Sequence, residues 1–406
     1  MTSSTRDPSA SANRLISKFV ASAPKSVVLS TLHHLSSPHA ADSQPLLSSL
    51  ALPLYTEITE ASWFCWNSKL VANVIALLYK QGQIGDAEGL ILVTRSTKCP
   101  KERDLVQFYC NLMEFVTKLK SENGLSSTYA RLNEMLSSSS SVYVRRRAYE
   151  SLVGGLCVMD QPHEAKNLIA EMRQRGIKPS AFEFRSVVEA YGRLGLFEEM
   201  LQTVAEMQDS GFALDTVTSN MVLSSYGRHD ELSQMYFWLQ WMKDSGVRFS
   251  VRTYNSVLNS CPTVMSLLQD LKTAPVTLTE LLAQLEGNEA KLVKELSASP
   301  FVEGMLTWDS FGSKLDLHGM HLGTSYLVFL QWMEELRRRF TSGQHKIPAD
   351  ITVVCGSGKH SSVRGESPVK ALVRKIMLRA RSPLRIDRKN IGCFIAKGKA
   401  VKEWLC

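Results

Sequence analysis

The chain has 406 residues, 44% of them apolar and 21% charged, which is enough for two or three domains with buried cores. No apolar run approaches the roughly 18–20 residues of a membrane span, so the sequence gives no transmembrane helix and no membrane partner. The net charge is +8, and residues 301–406 hold 18 Lys+Arg against 9 Asp+Glu, leaving 29 against 30 in the rest of the chain. A positive excess confined to the last quarter favours a polyanionic partner, most simply nucleic acid. The eight cysteines are scattered and form no C-x-x-C, which excludes zinc-ribbon and thioredoxin-type sites and suits a reducing compartment.

The first forty residues are rich in Ser, with Arg6, Arg14, Lys18 and Lys25 against the single acid Asp7. They lack the long apolar core of a secretory signal. Residues 1–45 are therefore expected to be an organelle transit peptide or a disordered polar tail. Residues 60–145 read as helical, as in "LVANVIALLYKQGQIGDAEGLI" (70–91) and "FYCNLMEFVTKL" (108–119).

From residue 146 to about 260 a 35-residue period sets in. Met172, Met207 and Met242 fall in one column, and Gly176, Gly211 and Gly246 in another. "AYGR" (190–193) matches "SYGR" (225–228). Within a row, Phe184, Val187, Val188 and Tyr191 recur at helical spacing, Gly195 breaks the chain, and "FEEMLQTVAEMQDSG" gives a second amphipathic helix that stops at Gly211. Each row is thus a helix hairpin. One hairpin cannot bury its apolar face alone, so the rows predict an all-α helix-hairpin solenoid.

Residues 261–308 read as a helical cap or linker. Beyond about 309 the pattern becomes β-α-β-α-β-β. "KLDLHG" is a strand and turn, "TSYLVFLQWMEELRRRF" (324–340) a helix, and "DITVVCG" (350–356) a buried strand. "SPVKALVRKIMLRARS" (367–382) has a Ser cap and Pro at the first helical position. "LRI" and "GCFIA" are short strands, and "KAVKEWL" is a last helical turn. This order predicts a small α/β sandwich over 309–406. "VVCGSGKHSS" (353–362) is a glycine-rich loop that meets neither the Walker A nor the dinucleotide fingerprint. What remains is a backbone loop able to approach a phosphate through Gly356, Ser357 and Gly358, flanked by Lys359, His360 and Arg364. On the preceding strand, Asp316 and His318 sit on the face opposite Leu315 and Leu317. As a chemical pair they suit phosphodiester cleavage: His318 moves a proton, Asp316 orients it or holds a cation, and Lys359 offsets charge on phosphorus. As a structural pair they fix a turn. His321 with Asp316 and His318 is a third reading, a metal site.

The 35-residue hairpin with "EM…GI.P" near its end, clearest in "YESLVGGL…HEAKNLIAEMRQRGIKPS" (149–180), resembles the pentatricopeptide repeat, and residues 70–91 resemble one earlier, degenerate copy. "LDLHG" followed by "CGSGKHS" resembles the small MutS-related domain; the combination is known from plant organelles. The first resemblance implies binding of single-stranded RNA at about one base per repeat. Its base-reading columns fall on Glu150 with Ser180, Arg185 with Asp215, Asn220 with Ser250, and Asn255. Glu150 and Arg185 depart from the small polar residues usual there. Four repeats distinguish at most about 250 sequences, too few to select one transcript unaided. The second resemblance implies an endoribonuclease, with Asp316, His318 and Lys359 catalytic. The residue before its first glycine, usually Thr or His, is here Cys355. Together they imply an organellar RNA-processing protein, in the chloroplast or alternatively the mitochondrion, that works beside other RNA-processing proteins. A divalent cation such as Mg²⁺ is compatible as cofactor. The alternative is a non-catalytic RNA-binding factor in RNA stability, maturation or translation.

Overall fold

The computed structural model describes residues 8–99, 101–301, 306–308, 312–342, 347–356 and 367–406. The chain divides into two compact units after Ala190.

The first unit opens with five helices, α1 (Pro8–Ser22), α2 (Lys25–Leu35), α3 (Pro38–Ser43), α4 (Pro45–Ser48) and α5 (Ala51–Glu60). The reading of residues 1–45 as a transit peptide or polar tail did not mark these helices. Val28, Leu32 and Leu35 recur at helical spacing within the Ser-rich stretch and are buried. The Asn73 amide donates to Ser36 Oγ at 2.6 Å in a buried contact, and Gln81 donates to Ser48 Oγ at 3.0 Å. A composition count hides a stripe of three apolar residues; their spacing carries the packing.

Hairpins follow: α6 (Ser68–Lys80) with α7 (Ile84–Val93), α8 (Glu102–Lys118) with α9 (Glu122–Ser138), and α10 (Val142–Val158) with α11 (Pro162–Gln174). The first helices α6, α8 and α10 pack side by side in that order. Residues 102–138, whose repeat pattern is weak, therefore form a hairpin of the same kind as their neighbours. Tyr109, Leu112 and Val116 of α8 supply its buried side.

The period continues through α12 (Ala181–Arg193), α13 (Phe197–Asp209), α14 (Thr216–Arg228), α15 (Leu232–Asp244), α16 (Val251–Leu258) and the short α17 (Pro262–Leu267). Each column has a physical cause. Met172, Met207 and Met242 are fully buried. Gly176, Gly211 and Gly246 take φ of 71°, 89° and 70°, the left-handed stop of the second helix. The next residue's N–H then bonds back to the methionine carbonyl: Ile177 to Met172 at 2.8 Å, Phe212 to Met207 at 3.2 Å, Val247 to Met242 at 2.8 Å. The glycine of the "YGR" column serves close packing: a Cβ on Gly192 would overlap the Ser225 side chain, and one on Gly227 would overlap Ser260.

After α17 come α18 (Leu278–Ala283) and α19 (Gly287–Ser297), then the terminal α/β part. Its sheet starts slightly earlier than the sequence indicates. An edge strand β1 (Leu306–Trp308) pairs antiparallel with β2 (Gly312–Asp316). The order is β1-β2-β3-β5-β4, with β3 at Asp350–Val354, β4 at Arg385–Ile386 and β5 at Cys393–Lys397. Only β2 and β3 run parallel among the described strand pairs. The crossover between them is α20 (Leu322–Ser342), and α21 (Pro368–Arg379) and α22 (Gly398–Leu405) complete this part. Ser367 caps α21 as expected, its Oγ accepting from the Lys370 N–H at 3.3 Å, with Pro368 at the first position.

The segment between repeats and sheet packs on α20. Tyr326 is fully buried and its hydroxyl donates to the Pro275 carbonyl at 2.8 Å. Gln331 donates to Ser297 O at 2.8 Å, and Arg379 donates to the carbonyls of Leu271 and Ala274. α20 also packs against α16, the last first-helix of the repeats.

Candidate nucleic-acid interface

Parallel strands β2 and β3 end side by side, with Asp316 opposite Val354 and the Leu317 N–H donating to Val354 O at 2.8 Å. In α/β sheets, ligands favour the carboxyl ends of parallel strands where their connections diverge. Alternation along β2 places Leu315 in the core, fully buried, and leaves Asp316 part-exposed. Leu317 is also buried, and the chain turns at Gly319 (φ 77°), which brings His318 out with its side chain 71% exposed.

Asp316 Oδ1 accepts twice from His318, from Nδ1 at 2.6 Å and from the backbone N–H at 3.1 Å. Lys314 Nζ lies 3.6 Å from Oδ2. Partial burial alone would raise the Asp316 carboxyl, but the His318 hydrogen bonds and the Lys314 charge outweigh it and hold the group below the usual carboxylate range. An ionised Asp316 fixes the proton of His318 on Nδ1. In the neutral imidazole Nε2 is then the acceptor, on an exposed ring.

The glycine loop begins beside this pair. Gly356 has φ 81°, and a Cβ there would lie 3.9 Å from His318 Cβ. The structure thus brings together Asp316, His318 and Gly356 from segments 40 residues apart. Ser357, Gly358, Lys359, His360 and Arg364 lie outside the described residues. Cys355 is buried, and burial, reinforced by neighbouring Cys393, pushes its thiol up to about 12. It remains a thiol, and its backbone is what the fold uses: its N–H donates to Gly392 O at 2.9 Å and its carbonyl accepts from Ser367 Oγ at 3.1 Å.

A third wall escaped the sequence reading. The β4–β5 turn approaches Gly356, since a Cβ on Gly392 would meet the Gly356 carbonyl carbon at 3.1 Å. The turn is braced by Asp387 Oδ1 accepting from Lys389 N and Asn390 Oδ1 accepting from Gly392 N. It exposes Arg388, Lys389 and Ile391. The available signal was "DRKNIG", a turn sequence carrying two cations between short strands. The reading of Asp316, His318 and His321 as a metal site is not supported. His321 Nδ1 accepts from the Asn259 amide at 2.6 Å, and no three His, Cys, Asp or Glu side chains group as metal ligands among the described residues.

The base-reading columns have visible structural roles. Ser180, Asp215 and Ser250 each precede a first helix and cap it. Ser180 Oγ accepts from Phe182 N at 3.3 Å and its N–H donates to Glu183. Asp215 Oδ1 accepts from the Thr218 N–H at 2.9 Å. Ser250 and Thr253 form a reciprocal capping box. Glu150 is paired with Arg147 and, at 3.7 Å, with Arg146. Arg185 is half-buried on α12. Asn220 and Ser250 meet: the amide donates to Ser250 Oγ at 3.2 Å while its oxygen accepts from Thr253 Oγ1 at 2.8 Å. Asn220 is 3% exposed. Asn255 Oδ1 accepts from the His321 backbone N–H at 3.0 Å, so it faces the terminal α/β part.

This arrangement defines a helical-repeat protein with 35-residue hairpins and a terminal α/β sheet. A family model described as pentatricopeptide repeat-containing protein matches residues 159–277. Pentatricopeptide repeat-containing protein At2g17033 of Arabidopsis thaliana is 57% identical over 400 residues, covering 98% of this chain and 79% of that protein. A second Arabidopsis thaliana protein of the same description, At1g74750, is 30% identical over 92 residues, 22% of this chain and 10% of that one. The chain belongs to the pentatricopeptide repeat protein family. Among solved structures, the pentatricopeptide repeat protein PPR10 from maize gives a TM-score of 0.40 at 16% identity, covering 81% of this chain and 44% of that one. PPR10 in complex with an 18-nt psaJ RNA element gives a TM-score of 0.29 at 16% identity, over 72% and 50% of the two chains. No described helix is long and apolar enough to cross a membrane.

Proposed function

We propose that this chain is an organellar RNA-binding protein whose repeats hold single-stranded RNA and whose terminal part, a small MutS-related domain, cuts it. The chloroplast is the proposed compartment, with the mitochondrion as the alternative, and other RNA-processing proteins are proposed partners. The observation that carries the catalytic reading is the Asp316–His318 pair beside Gly356 at the ends of β2 and β3.

The step that suits this pair is transesterification. His318 Nε2 takes the proton of a 2′-hydroxyl as the 2′-oxygen bonds to phosphorus. The bond from phosphorus to the 5′-oxygen breaks, and the imidazolium returns the proton to that oxygen. A 2′,3′-cyclic phosphate and a 5′-hydroxyl result. Asp316 orients the imidazole through Nδ1–H and stabilises its charged form. The cationic surplus of residues 301–406 and the exposed Arg388 and Lys389 favour an RNA backbone at this edge.

The full-length protein tests this against single-stranded organellar RNA, beside Asp316→Asn and His318→Ala. The expected result is cleavage by the native protein, lost in both variants, with RNA binding retained. Tight, salt-sensitive binding with intact RNA would instead establish the second reading, a non-catalytic factor in RNA stability, maturation or translation. The buried Cys355 thiol favours that reading, because the position supplies neither hydroxyl nor imidazole.

A further inference from the structure

The structure assigns Asn255 and Asn259 to positioning the Asp316–His318 turn on the end of the repeats, and we propose that Asn255 therefore reads no base. This rests on the RNA reading above and changes what it implies: α16 contributes no reader at this column, and the terminal part contacts RNA at a fixed offset from the repeats.

Three observations converge. First, Asn255 occupies the same helical position on α16 as Asn220 does on α14, yet its partner differs. The Asn220 oxygen bonds within the repeats, to Thr253. The Asn255 oxygen takes the His321 backbone N–H, 66 residues away, at 3.0 Å. Second, one helical turn on, the Asn259 amide donates to His321 Nδ1 at 2.6 Å. Backbone and ring of one residue are thus held by two side chains of the last hairpin. His321 stands three residues beyond His318 and directly before α20, whose Ser325 N–H bonds back to the His321 carbonyl at 2.8 Å. Holding His321 therefore sets the turn that carries His318. Third, the backbones approach closely at the same place. Gly323 has no side chain, and a Cβ there would lie 3.1 Å from Leu258 Cβ and 3.5 Å from its carbonyl oxygen. α20 takes the place beside α16 that the next first-helix of the repeats would take.

A surface hydrogen bond is weak alone, but here two converge on one residue, His321, which donates through its backbone N–H and accepts through Nδ1, beside the close approach of Gly323 to Leu258. The reacting pair and the last repeat then move as one body. RNA lying across α14 and α16 meets Asp316–His318 at a constant offset.

Full-length protein carrying Asn255→Ala is compared with Asn255→Asp, which keeps the acceptor oxygen for the His321 N–H. Hydrogen exchange over residues 317–324 is expected to speed up about fivefold in the alanine variant, the size of one lost hydrogen bond, and to stay near native in the aspartate variant. RNA selected from a random pool is expected to show the same preferred base at every position for the native protein and Asn255→Asp. The footprint edge at the terminal part should be sharp in both and blurred by a nucleotide or more in Asn255→Ala. A switched base preference at one position in Asn255→Asp would make Asn255 a reader and overturn the proposal. Unchanged exchange, or a sharp edge despite faster exchange, would overturn the positioning role. A native protein that binds without cutting defeats only the nuclease reading, because the footprint still reports the offset. One that binds no RNA while exchange responds as expected leaves a structural joint and overturns the fixed-offset claim.

Discussion

Substituting Gly323 tests the joint between α16 and α20 at its tightest point. An alanine Cβ would sit 3.1 Å from Leu258 Cβ, so Leu258 must yield by a few tenths of an ångström. Against this, replacing glycine in a helix gains up to about 1 kcal/mol of propensity. Gly323→Ala is therefore expected to be close to neutral. Gly323→Leu adds three more carbons to the same space and should cost about 1–3 kcal/mol by overpacking. Leu258 is fully buried, so Leu258→Ala alone should cost about 2–5 kcal/mol. In the double variant the new leucine fills the space the old one leaves. The coupling should recover about 1–3 kcal/mol relative to the sum of the single changes. A 406-residue chain of two units does not unfold in one step, so native-state hydrogen exchange on α16 and α20 is the appropriate assay. At about tenfold in the opening constant per 1.4 kcal/mol, the recovery spans roughly five- to over a hundredfold. Single effects that add within about 0.5 kcal/mol would refute the close approach, and with it the seating of α20 on the last repeat.

Ser250→Ala removes a capping box and one partner of the buried Asn220 amide, so α16 should lose about 1–2 kcal/mol of local stability, read by exchange; Ser250→Asp, which retains a capping oxygen, should lose much less. The Asp316 carboxyl is held low in the folded state, so its contribution is present above the unfolded carboxylate pKa of about 4 and is lost as pH falls through the lower folded value. The stability gap between native protein and Asp316→Asn should accordingly be full at neutral pH and close in acid, and at so exposed a pair it should not exceed about 1 kcal/mol. A gap that widens in acid would contradict the assignment. Alkylation at pH 8 should modify the exposed Cys65 and Cys406 and spare Cys355, whose thiol is buried and raised to about 12; mass mapping of the folded protein reads this directly.

The repeats were legible because their determinants are local. A left-handed glycine after a buried methionine closes a helix wherever the pair stands, so 35-residue columns of Met and Gly specify hairpins from sequence alone. The same holds for the capped start of α21 and for the alternation that buries Leu315 and turns Asp316 outward. The early helices were not marked in the sequence because Ser-rich composition masked the spacing of Val28, Leu32 and Leu35. The grouping of the candidate site was less accessible. That Gly356 adjoins His318, and that the Asp387–Gly392 turn reaches Gly356, follows from the strand order β2-β3-β5-β4, which no local pattern encodes. Asn255 shows the limit most clearly. By sequence it is equivalent to Asn220, with the same residue type on the same turn of the same kind of helix. Only tertiary packing distinguishes them, because Asn220 lies against another repeat and Asn255 against the backbone of His321, and a hydrogen-bonding amide takes its role from whatever the fold places opposite it.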